Sequence, residues 1–410
     1  MVRNCLLLAC LCVLAYAPFL SLPLFEDDYP ILTEGQTYGS PAALPVLLHT
    51  PVFRQRAVRH WTAFALWQTF HLRPVAYRAA SLALHVFNTW LIYWLALLWT
   101  RMRPGALFAA IFFAVHEGHQ EAVVWFSAID ELWKFLFGMG ALALFVLAEK
   151  SGDGTRGGVR RLMRAASLTL FALAMISKES AVILPALFLL VVPPGEWRRA
   201  VPRLLPYMTL AGLAAAAIFA AKTSSFRFSD GSFSLHAPFW ITWPRGIGRL
   251  LWFWGWAALI LVRWKAWPPL AWMALGLIPY SFLTYSTEIP SRQTYLASAG
   301  LALLVGLAVS QIQSRKLALA ILALIVVQNA AVLWTRKRTQ FLRRAEPTEQ
   351  LIRFARQTKG PIWIRCFPRN AYIAQEAVRL GAGKPLSDLV WNAEDAAARN
   401  AAEFCYHPQP

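Results

Sequence analysis

Long apolar segments recur along most of this 410-residue chain, and short clusters of Arg, Pro or Gly separate them. Each segment approaches the ~20 residues that a helix needs to cross the hydrocarbon core of a bilayer. Hydrophobic residues make up 58% of the sequence and charged residues 15%, a composition that excludes a disordered chain and an ordinary soluble enzyme. We therefore predict an all-α polytopic membrane protein with about eleven spans, within a range of about ten to twelve. The predicted spans are 5–25, 79–99, 105–116, 132–148, 165–177, 180–192, 204–221, 246–262, 270–285, 294–312 and 317–334.

The distribution of basic residues predicts how these spans are oriented, because short cytoplasmic loops carry an excess of Lys and Arg. If the first segment is an uncleaved anchor with its N-terminus inside, the N-terminus and the even-numbered connections hold 15 basic and three acidic residues. This excess accounts for most of the net charge of +19, so no nucleic-acid partner is needed to explain it. One stretch departs from the rule: "RKRTQFLRR" (336–344) follows the eleventh span and is predicted to lie outside.

The sequence divides into a membrane domain, residues 1–335, and a tail, residues 336–410. Residues 26–78 form the predicted first extracytoplasmic loop. Within that loop, residues 58–72 have the mixed apolar and polar pattern of an amphipathic segment at the membrane surface.

The tail is predicted to be a small extracytoplasmic α/β unit. The stretch "GPIWIRCF" is typical of a short strand, and residues near 345–358 and 370–381 are typical of helices. A disulfide between Cys366 and Cys405 is compatible with the sequence only if the tail lies in an oxidising compartment.

Under this topology, four polar stretches from distant parts of the chain emerge on the extracytoplasmic side. They are "LFEDDYPIL" with Asp27 and Asp28, "HEGHQEAVVWFSAIDELWK" (116–134), "SKES" (177–180) and "TEIPSRQTY" (287–295). Together they bring carboxylates, imidazoles, a Lys and an Arg to one membrane surface.

Each stretch also has a structural interpretation, since acidic residues after a span often form a solvated cap. His116 and His119 are spaced by one helical turn, which suits a divalent metal, but no third ligand is evident and both also suit a helix end. Lys178 and Glu179 lie between two short apolar runs, where ionisable side chains are costly. They either serve function or form a mutual ion pair that closes a helical hairpin. Arg292 either binds a phosphate or extends along the membrane surface.

A carboxylate that accepts a proton, beside cations that hold an anionic leaving group, is what glycosyl transfer from a lipid-phosphate sugar requires. Membrane embedding fits this chemistry, because such a donor is itself a lipid. A transporter or lipid flippase, in which the same charges line a substrate path, is the main alternative. Such proteins often have inverted repeats and interrupted spans, and neither is evident in this sequence. A non-catalytic scaffold of a surface-glycan assembly complex is a third interpretation.

Five stretches, in this order and spacing, resemble the GT-C glycosyltransferases, and specifically the bacterial relatives of the transmembrane-and-tetratricopeptide O-mannosyltransferases. The stretches are "FEDDYPIL", "RPVAYRAASLALHVFNTWLIYWL", "FAVHEGHQEAVVWFSAIDELWKFLF", "AMISKESAVILPALFLL" and "PSRQTYLASAGLALL". The resemblance covers about residues 20–335. It implies a GT-C-like helical bundle that uses a polyprenyl-phosphate-linked sugar, inverts the anomeric centre and carries its essential acid in the first extracytoplasmic loop.

The resemblance also assigns roles to particular residues of this chain. It implies that Asp27 or Asp28 is the general base and that the donor phosphate or substrate is bound by His116, His119, Glu121, Lys178, Glu179, Arg292 and Tyr295. We expect no cofactor, with a divalent metal left open, and an acceptor hydroxyl on a protein, lipid or glycan. The expected location is the bacterial inner membrane, with the active site facing the periplasm.

The chain departs from the family pattern in several places. Glu117 replaces the usual Pro, Ile129 stands where a polar or basic residue is common, and Gln293 and Thr294 interrupt an Arg-Tyr pair. The tetratricopeptide tail is missing. These departures leave the acidic pair intact and leave the acceptor open, because the family's tail is the part expected to bind the acceptor.

Overall fold

The computed structural model describes residues 1–50, 54, 56–100, 103–150, 157–220 and 231–408. Parts of the predicted first loop (51–53 and 55) and the predicted end of the seventh span (221) lie outside these ranges. Within the described residues the chain is mainly helical, and its strands lie in the carboxyl-terminal tail.

Helices overlap all eleven predicted spans. The described helices that precede the tail sheet are α1 (Val2–Tyr16), α2 (Asp28–Tyr38), α3 (Leu44–His49), α4 (Ala57–Phe70), α5 (Pro74–Thr100), α6 (Arg103–Val115), α7 (Gln120–Val124), α8 (Ile129–Lys150), α9 (Gly157–Met175), α10 (Leu184–Val191), α11 (Trp197–Ala220), α12 (Phe239–Val262), α13 (Trp267–Leu277), α14 (Ser298–Ser310), α15 (Arg315–Val332) and α16 (Arg338–Gln357). The predicted spans fall on α1, α5, α6 and α8 to α15.

Six described helical segments are long and apolar enough to cross a membrane. They are Val2–Phe19, Pro74–Leu98, Phe126–Lys150, Trp197–Ala220, Phe239–Tyr280 and Arg315–Gln357. Shorter apolar helices occupy Arg103–Val115, Glu179–Val191 and Ser298–Ser310. The chain is a multi-pass membrane protein, and the predicted helical class is confirmed.

Some predicted boundaries are wrong, because an apolar stretch can be buried without being helical. The first span was expected to reach Phe25, whereas α1 ends at Tyr16 and a 3₁₀ turn, Ala17–Phe19, follows it. Leu24 and Phe25 are buried beyond that turn in a non-helical segment. Their apolar character therefore reflects packing inside the protein. The tenth span likewise starts later than expected, at Ser298.

Small residues allow close contacts between helices. A Cβ added to Gly35 in α2 would lie 2.6 Å from the Cβ of Ala63 in α4, so α2 and α4 pack backbone to backbone. A Cβ added to Gly306 in α14 would lie 2.8 Å from the Cβ of Ala109 in α6, which is the close packing that small residues permit between membrane helices. The segment predicted to be amphipathic is the helix α4.

The tail contains a three-stranded parallel sheet with the order β2-β1-β3. Its elements are β1 (Ile362–Cys366), α17 (Ala371–Glu376), β2 (Leu389–Val390), α18 (Ala393–Ala398) and β3 (Ala402–Cys405). The sheet packs on α16 through a small separate core that includes Leu351, Ile364 and Phe404. Cys366 and Cys405 form a disulfide between β1 and β3. The predicted small α/β tail is confirmed, and α16 joins it to the bundle because residues 315–357 form one continuous helical segment.

Candidate active site

The segment between α1 and α2 carries three consecutive acids, and α2 begins at the third of them. Glu26 has a φ angle of +50°, a left-handed conformation that is uncommon for residues other than glycine. Residues held in such conformations are often found at functional sites. The turn at Glu26 places Asp27 and Asp28 in different surroundings.

Asp28 is fully buried and its carboxylate is fully engaged. Its Oδ1 accepts a hydrogen bond from the backbone N–H of Ser127 at 2.9 Å, and its Oδ2 accepts one from the N–H of Phe25 at 3.2 Å. The buried guanidinium of Arg78 lies 3.4 Å from Oδ2, and it also donates to the carbonyls of Pro23 and Val124. Burial raises the pKa of Asp28 to about 6, and Arg78 opposes this rise. Asp28 therefore joins the first loop to α5 and to the loop before α8.

The half-buried Asp27 has no such partners. Its side chain does not cap α2, and no side chain in the described ranges forms a hydrogen bond or an ion pair with it. Burial raises the pKa of Asp27 above its ordinary value of 3.8, and the charge of Glu26 adds to that effect. The positive charges of Arg292, Arg59 and Arg344 oppose it. Asp27 is thus a carboxylate free to accept a proton, with three guanidinium groups near it.

Glu26 is held by the tail. The Nε of Arg344 lies 3.2 Å from one carboxylate oxygen of Glu26, and the Nη2 of Arg369 lies 2.7 Å from the other. Arg344 also bridges to Glu121 at 3.1 Å, and its guanidinium lies 4.4 Å from the ring centroid of Trp125. The first loop, the α7 region and the tail therefore meet around Arg344.

Arg292 and Glu121, both predicted site residues, lie together beside this loop. The Oε2 of Glu121 accepts hydrogen bonds from the Ser291 hydroxyl at 2.8 Å and from the backbone N–H of Arg292 at 3.2 Å. These contacts and nearby cations hold the pKa of Glu121 below its ordinary value despite burial. The Arg292 guanidinium stacks on Trp125 at 4.9 Å and makes one loose ion pair, 3.7 Å from Glu121. The Arg292 side chain is about one-quarter exposed, so it can still bind an anion.

Lys178 and Glu179 do not form the mutual ion pair that was one interpretation of "SKES". Lys178 lies 3.1 Å from Asp130 and 2.9 Å from Glu131, whereas Glu179 pairs with Arg56 at 2.9 Å. Lys178 is buried and engaged. Lys178 is therefore part of a larger network.

That network contains three acids and three bases, so its charges balance. Its members are Arg56, Asp130, Glu131, Lys134, Lys178 and Glu179. The hydroxyl of Tyr280 completes it by donating to Glu131 at 2.8 Å, and Lys134 donates to that hydroxyl at 2.7 Å. The network joins the residues before α4 to α8, to the turn before α10 and to the end of α13.

His119 and Tyr295 are buried in an aromatic cluster, and their ring centroids lie 4.6 Å apart. The Nε2 of His119 lies 2.7 Å from the Ser298 hydroxyl, and the Nδ1 of His85 lies 2.7 Å from the Tyr295 hydroxyl. Burial lowers the pKa of His119 well below its ordinary value of 6.5 and also lowers that of His116. Both imidazoles are therefore neutral, and neither can supply positive charge to a substrate.

Within the described part of the chain, no group of three or more His, Cys, Asp or Glu side chains is arranged to hold a metal. Glu26 and Glu121 are already neutralised by arginines. The expectation that no cofactor is needed stays a prediction.

Sequence reasoning missed Arg78, Arg344 and Arg369, which hold acids of the first loop, and it also missed the buried acids Asp130 and Glu131. Two signals pointed to some of these residues. "IDELWK" places three charges at the start of an apolar helix, where ionisable residues are costly. The basic stretch at 336–344 departs from the charge rule under the predicted topology, and three of its five cations make contacts within the protein.

Three cations of this stretch contact the rest of the chain. Lys337 lies 3.1 Å from Glu117, and Arg338 donates to a backbone carbonyl just after α1 at 3.2 Å. Arg344 binds Glu26 and Glu121. The side of the membrane on which this stretch lies stays a prediction.

No family model matches the chain, and no curated protein matches it in sequence. Solved structures with a similar fold include ArnT from Cupriavidus metallidurans bound to undecaprenyl phosphate, with a TM-score of 0.55 and 12% identity over 97% of this chain and 89% of that one. In the apo state, ArnT matches with the same score and identity over 95% and 87%. An oligosaccharyltransferase from Archaeoglobus fulgidus, tethered to an acceptor peptide containing the NVT sequon, has a TM-score of 0.56 and 12% identity over 93% of this chain and 63% of that one.

The likeness extends over nearly the whole chain, which therefore has the fold of these GT-C structures. It spans less than two thirds of the oligosaccharyltransferase chain. The GT-C-like bundle expected from the sequence is confirmed.

Proposed function

We propose that the chain is a GT-C glycosyltransferase that moves a sugar from a polyprenyl-phosphate-linked donor to a hydroxyl of a protein, lipid or glycan. The observation that carries the proposal is the Asp27 carboxylate, which has no partner among the described residues although Glu26 and Asp28 on either side are both held. The fold supports it, because a structure with this fold, ArnT, was solved bound to undecaprenyl phosphate.

In the proposed reaction Asp27 accepts the proton of the acceptor hydroxyl as the acceptor oxygen attacks the anomeric carbon. The bond from that carbon to the phosphate oxygen breaks, and its electron pair stays on the phosphate. Arg292 stabilises the charge that develops there. A single in-line displacement inverts the anomeric centre. The raised pKa of Asp27 suits a general base, since proton transfer is most effective when the pKa lies near the working pH.

Of the two acids that the resemblance left open, we assign the proton transfer to Asp27. Asp28 accepts two backbone hydrogen bonds and pairs with Arg78, so it has no room for a substrate hydroxyl. We assign to it the positioning of its neighbour. His119, Lys178, Glu179 and Tyr295 are likewise engaged inside the protein and support the site from within.

We further propose that this site faces the outside of the cell membrane, the periplasm in a bacterium. The tail contacts the acidic loop directly through Arg344 and Arg369, so the two share one side of the bundle. A disulfide in that tail is compatible with an oxidising compartment. A membrane-impermeant maleimide applied to intact cells after reduction should label Cys366 and Cys405. Labelling only after the membrane is opened would place the tail inside.

The catalytic assignment is tested in a strain that lacks the gene, complemented with variants and examined for its surface glycoconjugates. Asp27→Asn should accumulate normally and lower transfer by about a hundredfold to ten-thousandfold, the usual contribution of a general base. Glu288→Gln, which alters an exposed acid, is the matched control and should restore transfer fully. If Asp27→Asn also restores it fully, Asp27 is not the base. If even the wild-type gene changes no glycoconjugate in that strain, the transferase proposal itself fails.

A further inference from the structure

Two of the three consecutive acids, Glu26 and Asp28, are held by other residues, and each is held by a different part of the molecule. Asp28 is bound by the bundle, through Arg78 and the N–H of Ser127. Glu26 is bound by the tail, more than 300 residues away in sequence, through Arg344 and Arg369. Asp27 lies between two fixed neighbours, and its own carboxylate is bound by no described residue.

We propose that the carboxyl-terminal unit is a positioning element for Asp27: Arg344 and Arg369 hold Glu26 in its left-handed conformation and thereby direct the next carboxylate into the site. Its catalytic consequence rests on the function proposed above, whereas the positioning itself rests on geometry alone. The tail thus acts on the site in a way that neither the sequence motifs nor the fold assigns.

The contacts of Arg344 suit such a role. Its guanidinium holds Glu26 with two of its nitrogens and Glu121 with the third, and a planar fork of this kind fixes the orientation as well as the distance of a carboxylate. It also lies over the ring of Trp125 and near those of Phe25 and Phe341. These rings restrict the guanidinium, so a lysine cannot reproduce its geometry.

The backbone conformation explains why Glu26 needs an external restraint. A residue other than glycine at a φ of +50° is strained, and the surrounding structure must maintain that conformation. Without Arg344 and Arg369, Glu26 would keep a mostly buried charge with no cation to balance it. We therefore expect the turn to open, and Asp27 to move with it.

The tail has independent contacts with the rest of the chain, so the restraint on Glu26 can be removed without detaching the tail. Thr33 in α2 donates to Glu376 at 2.6 Å, and Arg379 donates to the Thr33 hydroxyl at 2.7 Å. Arg338 binds a carbonyl beyond α1. Arg343, next to Arg344 but exposed, provides a matched control with the same charge on the same helix.

The test measures how accessible position 27 is, without any substrate. In full-length protein carrying Cys5→Ala, Cys10→Ala and Cys12→Ala, an Asp27→Cys substitution provides one reactive thiol, because the remaining cysteines form a disulfide. The rate at which a charged maleimide labels this thiol is then measured with Arg344→Ala, Arg369→Ala or Arg343→Ala added. In a parallel background, Asp27 and the buried Cys12 are both retained, and labelling of the Cys12 thiol reports on global unfolding.

Arg344→Ala should raise the labelling rate at position 27 about tenfold, the shift expected when a charged hydrogen-bond partner is lost. Arg369→Ala should raise it less, and Arg343→Ala should leave it unchanged. Labelling of Cys12 should stay slow in every variant. If neither Arg344→Ala nor Arg369→Ala changes the rate at position 27, or if Arg343→Ala raises it equally, the proposal is wrong. If Arg344→Ala does not accumulate, Arg344→Lys takes its place under the same criterion.

The labelling result does not depend on the proposed reaction. If Arg344→Ala speeds labelling at position 27 but Asp27→Asn still transfers sugar, the positioning is supported and the base assignment is rejected. If labelling is unchanged but Asp27→Asn is inactive, the base assignment is supported and the positioning is rejected.

Discussion

The acidic loop at Glu26–Asp28 and the buried network around Lys178 both contain several charges, but they balance them differently. In the network, each of the three acids contacts a base, and four of its six members are almost inaccessible to solvent. In the loop, Glu26 and Asp28 are equally engaged, whereas Asp27 between them has no described partner. Buried charges that are fully paired hold elements together. A single free carboxylate among paired ones is available for chemistry.

This comparison predicts that substitutions in the network mainly destabilise the folded protein. Lys178→Ala leaves Asp130 and Glu131 without their shared cation, and breaking a buried ion pair on one side costs about 3–5 kcal/mol. Thermal unfolding of the purified protein in detergent should therefore shift strongly to lower temperature. Arg249→Ala removes an exposed pair with Glu288 and should cost about 1 kcal/mol or less. Equal shifts in the two variants would mean that burial does not distinguish these pairs.

Asp28 should couple stability to pH. Its pKa rises from 3.8 to about 6 on folding, so the folded protein holds this proton more tightly than the unfolded chain does. The resulting stability is fully present below about pH 4 and is lost as pH rises through about 6, a change of about 3 kcal/mol. Asp28→Asn should flatten the decline in unfolding temperature over that range. If the unfolding temperature of Asp28→Asn declines as steeply as that of the wild type, other groups cause the decline.

The cations of the two regions also differ, because the guanidinium of Arg292 is less engaged than the ammonium of Lys178. Arg292→Ala should weaken binding of undecaprenyl phosphate about tenfold to a hundredfold, the value of hydrogen bonds to a charged group. Arg292→Lys should lose less, since it keeps the charge without the planar fork. Arg249→Ala is the control in the same binding measurement. Unaltered affinity in Arg292→Ala would exclude Arg292 as the phosphate ligand.

The smallest expected effect is on the pH profile of transfer. Arg292, Arg59 and Arg344 lower the pKa of Asp27, and Glu26 raises it. Arg344→Gln removes one of these cations and leaves Glu26 less neutralised, and both changes raise the pKa of Asp27. The acidic limb of the rate profile should therefore move to higher pH by less than about one unit. A shift to lower pH would contradict the role of Asp27 as the base.

The pattern of apolar segments was enough to predict a polytopic helical bundle, and the strand and helix signals after residue 335 were enough to predict a small α/β tail. Helix boundaries were less accurate where buried chain leaves the helix, as at Leu24 and Phe25. The motif "SKES" identified Lys178 and Glu179 but not their partners. Partner choice failed because Arg56 and Asp130 lie outside the motif, and adjacency in sequence gives no information about such contacts.

The sequence by itself determined that this chain crosses a membrane repeatedly and gathers its acids in a few loops. The reason is local: twenty apolar residues in a row have a favourable place in a bilayer, and charges do not. Only the tertiary structure decided which acid of "EDD" is left free. That outcome depends on Arg78, Arg344 and Arg369, which reach the loop from α5 and from the tail. Whether a carboxylate is paired depends on a few ångströms between distant segments, and packing alone sets that distance.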